Sequence, residues 1–165
     1  MSTKSFTINL PIITGDQDRR RLRKSFSFGC NLQNAVMGGG WDRVLKMRAT
    51  AEWQTARAMP KGSERTKAFR DLRMRFRLSE YDFHADVAKH RKASGRGHLL
   101  GINECQKLAS RAWISVERHL YNGGSPRFIS SRRGLHSIEG KTNRTGIIWT
   151  VSYTHLRAHE TEADL

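Results

Sequence analysis

The chain has 165 residues, with 30 lysine and arginine side chains against 15 aspartates and glutamates, so its formal net charge is +15. This length predicts one domain, or two small ones, with a modest hydrophobic core. No apolar run approaches the roughly 20 residues of a membrane helix, and the first residues contain no apolar signal core. An excess of positive charge attracts polyanions, so nucleic acid is the first partner to expect and a membrane is not expected.

The two cysteines, Cys30 and Cys105, stand alone in the sequence. They exclude a disulfide framework or a four-cysteine zinc site and indicate buried, reduced thiols in a cytoplasmic protein. Five histidines lack metal-ligand spacing: His84, His90, His98, His119 and His136. Phosphate-binding loops, nucleophile elbows and His-Glu-x-x-His motifs are absent. We therefore predict no catalytic residue, no metal site, no cofactor and no small-molecule substrate for this chain.

In chain order, the alternation of Phe6, Ile8 and Leu10 with polar residues predicts a half-buried strand over residues 5–13. A turn follows, with Asp16 as the N-cap of a basic amphipathic helix that runs to about Val36. The three consecutive glycines at 38–40 predict the end of this helix.

Four more helices are expected after that break. They are predicted over Trp41–Met59, over Ser63–Phe76, from Ser79-x-x-Asp82 onward, and from Asn103-x-x-Gln106 to about Tyr121, with a basic loop over Lys89–His98. The character then changes, because three short β-type pieces follow: Arg127–Ile129, Leu135–Ile138 and Gly146–Trp149. The expected fold class is therefore α+β, with a helical part inserted between an N-terminal strand and C-terminal strands.

The last residues, 151–165, read as a translated sequencing adapter, since eleven consecutive residues from Val151 match its codons. We set them aside, and with them the pair His155 and His159, whose spacing imitates a helical metal site. The first 150 residues then carry 29 basic and 12 acidic side chains, a net charge of +17. This interpretation predicts that the native protein continues past residue 150.

Two stretches resemble the N-terminal part of the TnpB family, the transposon-encoded RNA-guided nucleases related to type V CRISPR effectors. The first is Phe6-Thr7-Ile8-Asn9-Leu10-Pro11, followed by the basic helix and Asn34-Ala35-Val36. The second runs from Ser125-Pro126-Arg127-Phe128 through Leu135-His136-Ser137-Ile138-Glu139-Gly140 to Lys141-Thr142-Asn143-Arg144-Thr145-Gly146-Ile147. Together with the helices between them, they extend the resemblance over essentially all of the first 150 residues.

The resemblance implies a wedge-like β domain from residues 1–14 and 123–150, with a helical recognition lobe over 15–122. It implies that guide RNA and the duplex beside the DNA target are the partners. In that family, cleavage belongs to a later RuvC-like domain with three carboxylates and a zinc ribbon, so Mg²⁺ and Zn²⁺ are expected only in a C-terminal part that is missing here. The chain would be the binding part of a transposase-associated endonuclease, and not itself an enzyme.

Two groups of residues are the candidate nucleic-acid contacts. In the C-terminal β segment, strands and tight turns would hold basic side chains along a phosphate backbone, and an asparagine can read a base edge; these are Arg127, Arg132, Arg133, Lys141, Asn143 and Arg144. In the first helix, basic residues near the positive end of the helix dipole favour a bound anion; these are Arg19, Arg20, Arg21, Arg23 and Lys24. The alternative for the C-terminal group is a solvated hairpin edge, and the alternative for the group in the first helix is a solvated helix face.

The aromatic residues are expected mostly in the core, at helical spacing among aliphatic side chains: Trp53, Phe69, Phe76, Phe83 and Trp113. Trp41 and Tyr121, beside glycine-rich segments, are the candidates for stacking on bases.

Two other functions stay open. One is a DNA-binding transposase or regulator with a helix-turn-helix at Gly38–Gly40, and the other is a ribosomal-type structural RNA-binding protein.

Overall fold

A computed structural model describes residues 13–140 of the chain. It contains five α-helices: α1 (Asp16–Arg48), α2 (Ala51–Ala58), α3 (Ser63–Arg75), α4 (Glu80–Ala93) and α5 (Ile102–Glu117). A 3-10 turn, Gly97–Leu99, precedes α5. Residues 118–140 follow α5 without regular secondary structure. No helix in this part of the chain is long and apolar enough to cross a membrane.

The expected α+β class is wrong for the described residues, because they form helices and no strand. Arg127–Ile129 and Leu135–Ile138 were predicted as strands, but they are irregular segments that lie along the helices. Leu135 and Ile138 pack against the helical core, so the apolar side chains of this segment are covered by helices and not by a sheet. Apart from Ile13, the predicted strand over 5–13 and the one over Gly146–Trp149 lie outside the described residues.

The predicted break at 38–40 is also wrong, since α1 is one helix of 33 residues. A glycine inside a helix costs roughly 1 kcal/mol relative to alanine. Close packing offsets this cost at Gly40, where a Cβ atom would overlap the ring of Phe83 in α4. α1 ends instead at Arg48, with Ala49 as its C-cap, and Thr50 caps α2 by accepting a hydrogen bond from the backbone N–H of Trp53 at 3.3 Å. The helix predicted over Trp41–Met59 is therefore divided between α1 and α2.

The later helices begin close to where their sequence signals predicted. Gly62 precedes α3, and Ser79 caps α4 by accepting a 3.3 Å hydrogen bond from the backbone N–H of Asp82. α5 begins at Ile102, one residue before the predicted Asn103, and ends at Glu117. The first N-cap differs by one position, because Gly15 and not Asp16 precedes α1.

The core lies where α1, α4 and α5 pack against one another, while α2 and α3 pack together at the C-terminal end of α1. Phe83, Met37, Leu108 and Val116 are fully buried there. The aromatic residues expected in the core are buried (Trp53, Phe83, Trp113) or packed against it (Phe69, Phe76). Cys30 and Cys105 are buried and unpaired, as expected.

Candidate nucleic-acid interface

The first turns of α1 form a basic helical end that projects from the core. Every residue from Gly15 to Lys24 is exposed, and burial begins at Ser25. Arg19 lies 3.9 Å from Asp16 and donates a hydrogen bond to the carbonyl of Thr14. The other basic side chains of this end form no ion pair with a described carboxylate: Arg20, Arg21, Arg23 and Lys24.

The argument from the helix dipole does not hold for this end. Asp16 and Asp18 occupy the first turn of α1, where negative charge is favourable. Most of the basic residues begin one turn later, and the influence of the dipole fades within the first turn. The case for an anion at this end therefore rests on exposed, unpaired positive charge.

The loop after α4 brings two more basic side chains to this end of α1. Arg96 and His98 line a groove of about 520 Å³ together with Arg23, Lys24 and Phe28. The loop is held in place by Ser25, whose hydroxyl donates a 2.8 Å hydrogen bond to the carbonyl of Leu99. Sequence spacing could not reveal this convergence, because more than 70 residues separate the two segments.

Within the predicted basic loop Lys89–His98, the basic residues divide into two roles. Arg91 is half-buried, and its guanidinium donates hydrogen bonds to the carbonyls of Leu100 at 3.0 Å and Gly97 at 2.5 Å. It therefore shapes the loop. Lys89 and Lys92 lie on the exposed surface of α4, away from this groove.

The segment after α5 runs antiparallel along α1. Phe128 lies over Gly38, Ile129 pairs with Asn34, and Leu135 lies against Gly29, where an added Cβ atom would come within 2.9 Å of it. The segment then crosses to α5, where Arg111 donates a 2.8 Å hydrogen bond to the carbonyl of Ser137 and pairs with Glu139. Residues 126–139 are thus fixed at both ends, although they form no sheet.

This fixed segment carries Arg127, Arg132 and Arg133, all exposed. They line a groove of about 870 Å³ whose floor includes Gln33. None of the three forms an ion pair with a described carboxylate. The remaining predicted contacts, Lys141, Asn143 and Arg144, lie outside the described residues.

Both grooves border α1, the first at Phe28 and the second at Gln33. Gly29 packs between them, since a Cβ atom placed there would contact Leu100, which follows Leu99 of the first groove, and Leu135 of the second. The basic side chains on and beside α1 come from three separate parts of the chain, and we call them the basic surface: Arg19, Arg20, Arg21, Arg23, Lys24, Arg96, His98, Arg127, Arg132 and Arg133.

Residues 13–140 give little support for a metal site, a reactive cysteine or a helix-turn-helix. They contain no group of three or more histidine, cysteine or acidic side chains that could hold a metal ion. Burial raises the pKa of the Cys30 thiol, and it raises the pKa of Cys105 to about 11, so both favour the protonated form. A helix-turn-helix at Gly38–Gly40 is contradicted, because α1 continues through these glycines.

Neither a family model, nor a curated protein, nor a solved structure matches this chain.

Proposed function

We propose that this chain binds nucleic acid, both structured RNA and duplex DNA, through phosphate contacts on the basic surface. One observation carries the proposal. Three segments that are far apart in sequence place basic side chains in two grooves along α1, and most of those side chains have no described acidic partner. Like charges that gather without partners repel one another, and a polyanion relieves that repulsion.

The anchoring of the basic residues favours a backbone ligand over diffuse attraction. Arg132 and Arg133 sit in a turn between two attachment points, Asn34 and Arg111, and Arg23 and Lys24 lie on a helix. Side chains at fixed spacing can follow a regular phosphate chain, and such contacts set the position of the ligand without reading its sequence. Affinity should then fall steeply as salt rises, because bound cations are released from the phosphates.

A more specific role belongs to the same proposal. The chain would grip guide RNA and the duplex beside the DNA target, as the binding part of a transposon-associated RNA-guided endonuclease similar to the TnpB family. What supports this is the sequence resemblance, together with the contact between the two stretches that carry it: Asn34 of the first binds the backbone of Ile129 in the second. Cleavage, with its Mg²⁺ and Zn²⁺, would belong to a later domain, and this chain would act by binding.

A cytoplasmic location is also proposed, since two buried, unpaired thiols suit a reducing compartment. A ribosomal-type RNA-binding protein is the competing function. It predicts tighter binding to structured RNA than to duplex DNA at the same salt concentration, whereas the endonuclease role needs both.

The test is a filter-binding titration of the 165-residue chain with a structured RNA and a DNA duplex over a range of salt concentrations. We expect the logarithm of the binding constant to fall linearly with the logarithm of salt concentration, with a slope of about −0.9 per phosphate contact for duplex. Replacing Arg132 and Arg133 by alanine should make that slope shallower by about 2. Affinity that does not change with salt, or no binding at low salt, would refute the proposal.

The matched control replaces Lys89 and Lys92 by alanine, since both are exposed basic residues outside the grooves. This double variant removes the same charge but should change affinity less than the Arg132 and Arg133 pair. The reverse order would move the binding site to α4.

A further inference from the structure

A third groove lies at the opposite end of the molecule from the basic helical end, between α2, α3 and the turn after α5. Its volume is about 920 Å³, and its lining includes Trp53, Phe69, Met74 and Tyr121. The proposed function does not use it. We call it the aromatic groove.

Three aromatic rings form one cluster in this groove. Tyr121 stacks on Trp53 with ring centroids 6.0 Å apart and planes 11° from parallel, and Phe69 meets both rings edge-on. Trp53 is buried, but 46 % of Tyr121 is exposed. The cluster therefore ends in an aromatic ring that is open to solvent.

Tyr121 is held in place by its neighbours along the chain. The Arg48 guanidinium, from the last turn of α1, donates hydrogen bonds to the carbonyls of Leu120 at 3.2 Å and Asn122 at 2.7 Å. These two residues flank Tyr121, so the position of its ring is set before any ligand arrives. A preorganised ring costs little conformational entropy on binding.

Positive charge surrounds the rings. Arg57, Arg65, Arg70 and Arg73 line the groove, and the acidic residue among its lining is Asp82, which already pairs with Arg77. Arg57 and Arg65 form no ion pair with a described carboxylate. Arg65 lies over the Phe69 ring, 5.5 Å from its centroid, which keeps its guanidinium beside the aromatic cluster.

We propose that the aromatic groove binds an unpaired nucleotide, with its base stacked on the exposed ring of Tyr121 at the end of the cluster and its phosphate beside Arg57 and Arg65. Aromatic rings accept any base because every base has a flat face, and arginines hold the phosphate. The groove is a second site, separate from the basic surface. It reads the presence of a base, whereas the basic surface contacts phosphates.

The other occupant with matching charge is an acidic amphipathic helix from a partner protein. Such a helix needs a row of exposed apolar side chains to receive its anchors. The aliphatic lining of the groove consists of Met74, which is 70 % exposed, and Leu78, which is 1 % exposed. This lining offers a helix one aliphatic contact, so the nucleotide is the better fit.

The experiment compares two ligands of equal charge, a uridine decamer and an abasic decamer, on the 165-residue chain at one salt concentration. The chain should bind the uridine decamer about 5- to 150-fold more tightly, the range expected for one stacked base. Tyr121→Ala should remove that preference, and Tyr121→Phe should keep it. Equal affinity of the unmodified chain for both decamers would overturn the proposal.

A charge control uses two positions on α3. Arg65→Glu and Lys67→Glu change the charge equally, but only Arg65 lines the groove. We expect Arg65→Glu to weaken binding of the uridine decamer and Lys67→Glu to leave it nearly unchanged. Equal losses would mean that general charge, and not the groove, holds the ligand.

Photocrosslinking of the unmodified chain to a bromouracil decamer tests the site without any variant. Adducts should map to peptides that contain Trp53, Phe69 or Tyr121, and adducts confined to other peptides would contradict the site.

Two further results separate this groove from other binding. If the chain binds an acidic amphipathic peptide, and Tyr121→Ala is the one variant that abolishes this binding, the groove belongs to a protein partner. Replacing Arg132 and Arg133 by alanine should leave the uridine-to-abasic ratio unchanged, so failure of the basic surface and failure of this groove give different results.

Discussion

The side-chain amide of Asn34 forms hydrogen bonds with both backbone polar groups of Ile129, its N–H and its carbonyl. Its Nδ2 donates to the Ile129 carbonyl at 2.8 Å, and its Oδ1 accepts from the Ile129 N–H at 3.0 Å. A primary amide presents an N–H donor and a carbonyl acceptor side by side, as one residue does to its partner in an antiparallel strand pair, so Asn34 takes the place of a neighbouring strand. This contact lets an extended segment lie beside a helix with its polar groups satisfied.

The first prediction concerns this contact. Asn34→Ala should detach residues 126–135 from α1 and lower the free energy of unfolding by about 1–3 kcal/mol, since it removes two hydrogen bonds and leaves half-buried backbone groups unpaired. Trypsin should then cleave faster after Arg127, Arg132 and Arg133. Asn31→Ala is the control, because Asn31 is an exposed asparagine on the same helix. Unchanged cleavage in Asn34→Ala would show that other contacts hold the segment.

The second prediction compares adjacent glycines in α1. Gly39→Ala should stabilise the protein by about 0.5–1 kcal/mol, because alanine favours the helix and a Cβ atom at this position meets nothing within 4 Å. Gly40→Ala should destabilise it by about 1–3 kcal/mol through overlap with the Phe83 ring. Urea unfolding of both variants measures the difference. If both substitutions stabilise the protein, α4 does not pack against Gly40 as described.

The third prediction is a pH dependence at the other end of the same segment. The Arg111 guanidinium, by hydrogen bonding and then by its charge, holds the pKa of Glu139 below its ordinary value of 4.5. A lowered pKa means that this ion pair contributes stability above the unfolded-state pKa and loses it as the pH falls through the folded-state pKa. The side chain of Glu139 is 56 % exposed, so we expect a small effect.

Glu139→Gln tests this expectation. The variant should unfold at lower urea concentration than the unmodified chain at pH 6, and the difference should shrink as the pH falls below 4.5. Glu64→Gln is the control, since Glu64 is exposed and pairs with no described cation. A difference that stays constant down to pH 3 would mean that the Glu139 charge does not fix the segment.

Signals between neighbouring residues predicted the starts of the later helices closely. Ser79 caps α4 because its side chain reaches a backbone N–H three residues on, and this short-range chemistry was predicted from the sequence. The same chemistry at Thr50 was missed, since one helix was predicted over Trp41–Met59 and the chain instead starts α2 after Thr50. Gly40 could not be read in this way. A glycine run usually ends a helix, and only the ring of Phe83, 43 positions away, makes glycine the residue that fits.

The candidate site was predictable as a set of residues but not as an arrangement. The basic runs in α1 and after α5 stand out in the sequence, whereas their placement along α1 depends on how Leu100 and Leu135 pack against Gly29. Arg91 and Arg111 illustrate the limit most directly. Both look like surface charges in the sequence, yet both bind backbone carbonyls and hold loops in place.

The continuity of α1 also sets a length scale for its ligand. From Lys24, in the basic helical end, to Arg48, which positions Tyr121, the helix rises about 36 Å at 1.5 Å per residue. A nucleic acid that engaged both proposed sites would therefore have to reach about 36 Å and end in an unpaired nucleotide at Tyr121. Shorter ligands would engage one end at a time.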